Sequence, residues 1–254
     1  MSGRLTVIGL GPGDDRYLTQ EACDALEAAD ALFGYGPYLD RVPVRPGQTR
    51  HASDNREEGA RAEAALRHAA EGACAAIVSG GDPGVFAMAA SVCEAIEAGP
   101  DTWRALEIAI VPGITAMLAV AARAGAPLGH DFCALSLSDN LKPWELIERR
   151  INAVSSTGFV IALYNPISRA RPSQLAKAFA LLGRHLPGRT PVIFGRAVGR
   201  TDESLTVTTL ASAGEITADM ATLIIVGSSE TRVIPREGQS PLVYTPRAIE
   251  GVIA

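Results

Sequence analysis

Lysine is almost missing from this sequence. Of its 23 lysines and arginines, only Lys142 and Lys177 are lysines, which leaves 21 arginines (23 − 2). A guanidinium is a flat, two-pronged donor that suits carboxylates better than an ammonium does. Positive charge is still in deficit: 28 acidic residues give a formal net charge of −5, so no basic field gathers nucleic acid. Cysteine occurs at Cys23, Cys74, Cys93 and Cys133 only, with no C-x-x-C pair and no His/Cys spacing of a zinc site. That excludes a cysteine-ligated iron–sulfur centre, and no metal site is expected. The alanine-rich surroundings of the four cysteines predict reduced core residues. No apolar run approaches the ~20 residues of a membrane span. The N-terminus enters an apolar strand without the regions of a signal peptide. These absences point to a cytoplasmic protein without a nucleic-acid or membrane partner.

What is present is an alternation of strands and helices. With 254 residues, 47% of them hydrophobic and 20% charged, the chain suffices for one large domain or two of roughly 100–150 residues. Apolar runs at 4–9, 30–34, 75–79 and 107–111 read as strands, with helices over 19–29, about 56–71, about 85–98 and about 115–124 between or after them. Thr19 is a candidate N-cap of the first helix, and Asp54 or Asn55 of the second. The second half repeats the pattern, with strands at 132–137, 158–164, 191–195 and 222–227 and helices at 143–152 and 173–186. Residues 204–209 alternate polar and apolar, the mark of a strand with one wet face. The class is therefore α/β: two α/β domains, 1–118 and 119–254, with a mostly parallel N-terminal sheet and a mixed C-terminal one.

Chemistry concentrates in turns at the carboxyl ends of these strands, where open α/β sheets bind ligands. They are Gly9-Leu10-Gly11-Pro12-Gly13-Asp14, Gly80-Gly81-Asp82-Pro83-Gly84, Pro112-Gly113-Ile114-Thr115-Ala116 and Tyr164-Asn165-Pro166. The first is not a dinucleotide turn. The G-x-G-x-x-G spacing needs glycine where Asp14 stands, Pro12 removes a backbone donor, and Asp14 and Asp15 put carboxylates where a pyrophosphate would lie. The second strand ends Phe33-Gly34-Tyr35 and lacks an acid for a ribose. No Gly-Lys-Ser/Thr occurs, so a phosphate loop is absent as well. A positively charged sulfonium cofactor is compatible with those carboxylates.

The first three turns, in this order, resemble the tetrapyrrole methylase family. Gly34-Tyr35-Gly36-Pro37-Tyr38-Leu39, Ser53-Asp54-Asn55-Arg56-Glu57, Leu135-Ser136-Leu137-Ser138-Asp139 with Pro143-Trp144-Glu145, and Leu163-Tyr164-Asn165-Pro166 resemble one branch of it, whose members methylate precorrin-3B at C17 and contract the ring to precorrin-4. The resemblance implies two α/β domains with S-adenosyl-L-methionine in the cleft between them, S-adenosyl-L-homocysteine as product, and a place in cobalamin biosynthesis. It implies a small-molecule tetrapyrrole substrate, a homodimer and transient contact with neighbouring pathway enzymes. By motif, the cofactor residues are Pro12, Gly80, Gly81, Asp82, Val85, Phe86, Thr115, Ala116, Tyr164 and Asn165, with Met220, Ala221 and Thr222 matched more loosely.

Methyl transfer from a sulfonium is an in-line displacement that needs positioning more than reactive groups. Ring contraction moves protons and needs an acid or base. Candidates are Asp14, His51, Ser138 and Asp139, with Asp54, His130, Asp131 and Ser136 behind them; His51 is read as lying in a polar loop, and Asp14 either serves the substrate or caps its own turn. The substrate's acetates and propionates call for cations. Arg41, Arg45, Arg50, Arg56 and Arg61 cluster after the second strand, and Arg169, Arg171, Arg196 and Arg200 follow later turns. The substrate set is Tyr35, Arg50, Asp54, Arg56 and Arg200. Competing readings are a sister methylase acting at another carbon or on a cobalt-bearing substrate, and a non-catalytic tetrapyrrole-binding protein. A nicotinamide-dependent reductase is disfavoured by Asp14 and the missing ribose acid.

Overall fold

The computed structural model describes residues 3–248. The chain divides into two compact units between Thr115 and Ala116. The first unit runs β1 (Arg4–Gly9), α1 (Gln20–Ala28), β2 (Ala31–Tyr35), α2 (Gly36–Leu39), β3 (Thr49–Ser53), α3 (Glu58–Ala70), β4 (Cys74–Ser79), α4 (Met88–Ala98), α5 (Asp101–Arg104) and β5 (Glu107–Val111). Its five strands form one parallel sheet in the order β3-β2-β4-β1-β5. Side chains alternate between the two faces of a strand. Leu5, Val7, Phe33 and Ile77 join the buried faces of α3 and α4 on one side. Ile8, Leu32 and Val78 join Ala22 and Leu26 of α1 on the other. Helices cover both faces of β1, β2 and β4, which is why these three read as nearly continuous apolar runs.

The second unit runs α6 (Ala116–Ala124), β6 (Gly125–Ala126), β7 (Phe132–Ser136), α7 (Trp144–Ser155), β8 (Val160–Tyr164), α8 (Gln174–Leu182), β9 (Pro191–Arg196), β10 (Ser204–Thr209), β11 (Thr222–Val226), β12 (Arg232–Arg236) and β13 (Gln239–Tyr244). Its main sheet has the order β10-β9-β11-β8-β7. Only β7 and β8 pair in parallel; the other neighbours are antiparallel. The core joins Ile147 and Ile151 of α7, Leu175 and Leu182 of α8, and Leu163, Phe194 and Ile224 of the sheet. Gly195 lets α6 approach β9, because a Cβ there would overlap the Val120 side chain.

The structure corrects several expectations. Residues 49–53 form the edge strand β3 rather than a loop, so His51 lies within a strand. A polar edge strand with one paired side shows no apolar alternation, and the pattern hid it. The helix expected from about Arg56 starts at Glu58, and Asp54 is not its N-cap. Thr19 does cap α1, accepting the Ala22 N–H at 3.0 Å. The cysteines are not core residues: Cys74 and Cys93 are exposed, and Cys23 and Cys133 are half-buried. The hairpin of β12 and β13, and its pairing with β6, were not anticipated; β12 is exposed throughout.

Gly195→Ala is expected to lower stability by about 1–3 kcal/mol through overpacking against Val120. Urea unfolding of the variant and its parent measures the difference.

Candidate functional site

In the first unit β4, β1 and β5 lie side by side and parallel, with Gly9 opposite Ser79 and Ile8 opposite Val111. Their carboxyl ends therefore deliver three glycine turns to one place. Gly11 and Gly81 form a two-bond bridge, Gly11 N–H to Gly81 O at 3.1 Å and Gly81 N–H to Gly11 O at 2.9 Å. Both carry positive φ, 65° and 69°. A Cβ on Gly9 would come within 2.8 Å of Gly113 Cα and of Gly81 O, and one on Gly113 would overlap Gly81 O. The three turns are thus in backbone contact. The Asp82 carboxylate ties them: Oδ1 accepts the Gly84 N–H at 2.8 Å and Oδ2 the Gly113 N–H at 3.0 Å. Hydrogen bonds to a charged acceptor contribute about 1.5–3 kcal/mol each, so the Asp82 side chain is structural. Tyr38 lies against Gly80, where a Cβ would meet its ring at 2.7 Å, and Tyr35 meets Tyr38 edge-on at 5.4 Å.

Arg41 fixes the first turn. Its Nη2 donates to Leu10 O at 2.6 Å, Gly13 O at 2.7 Å and Gly11 O at 3.1 Å. The carbonyls of this turn converge on a cation, the reverse of a phosphate cradle, in which N–H groups converge on an anion. Asp14 caps the short 3-10 turn that follows, its Oδ1 accepting the Arg16 N–H at 3.0 Å. Pro12 sits between these anchors. Phe86 follows Val85 at φ 54° and is 51% exposed. Thr115 is buried, and a Cβ at Gly81 would stand in ordinary contact with Thr115 Cα at 3.7 Å.

The arginines after β2 have other destinations than the sequence suggested. Arg50 donates to the carbonyls of Leu39 (3.0 Å), Val42 (2.8 Å) and Pro43 (2.6 Å). Arg61, 4% exposed, donates to Ser53 Oγ at 2.8 Å, Asp54 O at 2.6 Å and Met88 Sδ at 3.2 Å. Burial lowers its pKa, against the raising effect of Glu58, Glu57 and Asp54. Arg45 pairs with Glu27 at 2.7 Å. Of the five, only Arg56 is exposed and has no hydrogen bond or ion pair within the described residues. Asp54 accepts the Asn55 N–H. The His51 ring stacks on Phe33 at 4.4 Å and 11°, with His68 5.9 Å away.

In the second unit the ends of β7 and β8 are joined. Leu137 N–H donates to Tyr164 O at 2.9 Å. Ser136 Oγ accepts from Asn165 Nδ2 at 3.0 Å and from the Ser138 N–H at 3.3 Å. Asn165 has φ 51°, a conformation uncommon outside glycine but tolerated by asparagine. Tyr164 Oη accepts the Met117 N–H at 3.2 Å, at the open first turn of α6 that begins with Ala116. Asp139 Oδ2 accepts from Gln174 Nε2 at 2.9 Å. Met220 is 49% exposed. Next to it, the Asp219 carboxylate receives Thr222 Oγ1 at 2.8 Å, the Ala221 N–H at 2.9 Å and Arg196 Nε at 2.8 Å. Arg196 also pairs with Asp202 at 2.9 Å. Arg200 is exposed, and its N–H donates to Ala197 O at 2.9 Å. His130 Nδ1 accepts the Asp131 N–H at 2.7 Å.

Two groups were missed in the sequence. Lys142 is half-buried, and its pKa is lowered by desolvation and by Arg150 and Arg171, against Asp139. Tyr38 covers Gly80; only its place in the motif around Gly34 signalled it. Burial pushes the Cys133 thiol up to about 11, which makes it a poor nucleophile. Among the described residues no group of three His, Cys, Asp or Glu could hold a metal ion, and no helix is long and apolar enough to cross a membrane.

Comparison with known proteins agrees with the turns. The family model for Tetrapyrrole (Corrin/Porphyrin) Methylases matches residues 4–214. A Sinorhizobium protein named Precorrin-3B C(17)-methyltransferase is 61% identical over 99% of both chains. The Mycobacterium tuberculosis (strain H37Rv) Cobalamin biosynthesis protein CobIJ is 45% identical over 97% of this chain, which spans 48% of that protein. A crystal structure of the methyltransferase CobJ superposes with TM-score 0.91 at 48% identity, covering 96% of this chain and all of that one. The Thermus thermophilus uroporphyrin-III C-methyl transferase, solved with S-adenosyl homocysteine, shares the fold at TM-score 0.68 and 22% identity, over 89% of this chain and 97% of that one.

Arg41→Ala is expected to leave carbonyls of the first turn without their donor, at a cost of about 1–3 kcal/mol; differential scanning calorimetry should show Tm lower by several degrees. The pKa of Asp219 is lowered below its ordinary 3.8: desolvation pushes it up, but hydrogen bonds from Thr222, Arg196 and the Ala221 N–H outweigh that. Arg196 also lowers that of Asp202. A carboxylate depressed in the folded state stabilises above its unfolded pKa and loses that contribution as pH falls through the folded value. Asp219→Asn should therefore flatten the fall in Tm below about pH 4 relative to the parent, while the decrement it causes is constant from pH 6 to 8.

Proposed function

Because the chain belongs to the tetrapyrrole (corrin/porphyrin) methylases, we propose that it moves a methyl group from S-adenosylmethionine to C17 of precorrin-3B. Contraction of the macrocycle to precorrin-4 accompanies the transfer, as a step of cobalamin biosynthesis. The observation that carries this reading is the 61% identity, over 99% of both chains, to the Sinorhizobium protein of that name.

The residues fit such a donor. Bound S-adenosylmethionine supplies an activated methyl on a sulfonium, so the protein's task is placement. The half-exposed Phe86 and Met220 offer apolar surface. In the first unit the donor contacts fall to Pro12, Gly80, Gly81, Val85 and Thr115, with the Asp82 carboxylate bracing them. In the second they fall to Ala116, Tyr164, Asn165, Met220 and Ala221, with Thr222 holding the Asp219 turn. Arg56, exposed among the branch-motif residues of the first unit, receives a substrate carboxylate, and so does the exposed Arg200 of the second, while Arg50 braces the chain from Leu39 to Pro43. Proton transfer during contraction falls to Asp14, whose Oδ2 remains after its cap bond, or to Asp139, held by Gln174. His51 is engaged as a ring partner of Phe33.

A second reading has one observation behind it. A Salmonella typhimurium protein named Probable cobalt-factor III C(17)-methyltransferase is 40% identical over 96% of this chain. The higher identity to the Sinorhizobium protein favours the metal-free substrate. We further propose a cytoplasmic homodimer that contacts a neighbouring pathway enzyme; the match to half of CobIJ supports such a neighbour.

Incubation with carbon-13-labelled S-adenosylmethionine and either precorrin-3B or cobalt-factor III, followed by NMR and mass spectrometry, tests the reading. The expected product is precorrin-4 with label at C17, from the metal-free substrate. Label at another carbon, or turnover of the cobalt form alone, would overturn it. Asp14→Asn in the same assay should retain donor binding and lose at least tenfold in turnover.

A further inference from the structure

One buried guanidinium gathers the loops that follow β7 and β8. Arg171 is 5% exposed. Its Nη1 donates to Asn165 O at 3.1 Å and lies 3.4 Å from Leu137 O, and its Nη2 lies 3.6 Å from Met220 Sδ. Its own backbone is fixed by paired bonds with Ser168, at 3.0 and 3.2 Å. Among the described residues no carboxylate lies within 4.0 Å of it. A cation that served substrate carboxylates would keep its donors toward solvent; these face inward, onto carbonyls and a thioether.

Those partners have a common character. Asn165 is held at φ 51°, a left-handed conformation that asparagine tolerates better than other non-glycine residues and that its hydrogen-bond partners fix here. Its amide is fixed on Ser136 Oγ. Met220 is half exposed although its sulfur meets Arg171, so one end of a flexible side chain is anchored and the rest faces outward. Thioether chains otherwise sample several rotamers. A lysine could replace the charge but not the fork, because an ammonium is a single point and a guanidinium presents its donors in a fixed plane.

We propose that Arg171 is a positioning residue for the methyl donor, holding Asn165 in its left-handed conformation and anchoring Met220. This rests on the reading that Asn165 and Met220 contact S-adenosylmethionine. It sets Arg171 apart from the substrate-binding arginines with which its exposed sequence neighbour Arg169 would group it.

Arg171→Gln and Arg171→Lys decide the matter, with circular dichroism and thermal unfolding to establish the folded state. Calorimetric titration gives Kd for S-adenosylhomocysteine, and steady-state assays give KM for the tetrapyrrole. The expected result is a Kd raised about tenfold in R171Q and less in R171K, with the tetrapyrrole KM within twofold of the parent. Unchanged Kd in folded R171Q overturns the proposal, as does a raised tetrapyrrole KM with unchanged Kd, the pattern of a substrate cation. If R171Q does not fold, R171K is judged by the same split; if neither folds, Arg171 belongs to the scaffold and the proposal fails. Parent protein that binds no S-adenosylhomocysteine overturns the functional reading instead, whatever the variants do.

Discussion

A strand that ends in a tight turn leaves carbonyl oxygens with no partner in the ladder, and burying them unpaired is costly. In this protein guanidinium groups take them. Arg41 collects three carbonyls of the first turn, and Arg50 one from the last residue of α2 and two from the chain after it. Arg61 holds Asp54 O and Arg171 holds Asn165 O. A guanidinium keeps its charge when buried and offers five N–H donors, so it serves several acceptors where an ammonium would be too compact. The near-absence of lysine thus has a structural counterpart. Arg41, Arg50, Arg61 and Arg171 act as internal braces, and the loops they hold depend on them.

This bracing suits a reaction whose donor is already activated. No nucleophile of unusual acidity is needed, and the Cys133 thiol, pushed up to about 11, supplies none. What the protein adds is geometry: turns fixed by Asp82 and Arg41 in the first unit, and by Arg171 and Ser136 in the second. Small displacements matter in such a site, because near-attack placement accounts for much of the rate. The strained backbones of Phe86 and Asn165 fall in these same loops, where strain tends to be kept for function.

The fold was largely legible because β1 and β4 are buried on both faces and each ends in a glycine turn. The turns were legible for the same reason: glycine and proline punctuate strand ends by local chemistry, without a distant partner. Other features depend on partners far along the chain. Asp82 looks like a ligand residue until Gly113 N–H is found on its carboxylate. Arg50 and Arg61 look like substrate cations until the carbonyls they hold are known, since sequence gives a guanidinium's chemistry but not its destination. His51 lay hidden in the polar edge strand β3, and the hairpin of β12 and β13 in a run whose first strand is exposed throughout. The cysteines misled because an alanine-rich context does not say which side of a helix is outside, as at Cys93, or that Cys74 stands at the exposed first position of β4.

The contact of Gly9, Gly81 and Gly113 has a genetic consequence. Most clashes in a protein core have second-site suppressors, because a neighbouring side chain can shrink to make room. Here each missing Cβ would strike backbone: Gly113 Cα and N and Gly81 O from position 9, and Gly81 O from position 113. The neighbours are already glycine, so they have nothing left to lose. Lesions at Gly9 or Gly113 should therefore admit reversion at the same codon but no compensating change across the contact.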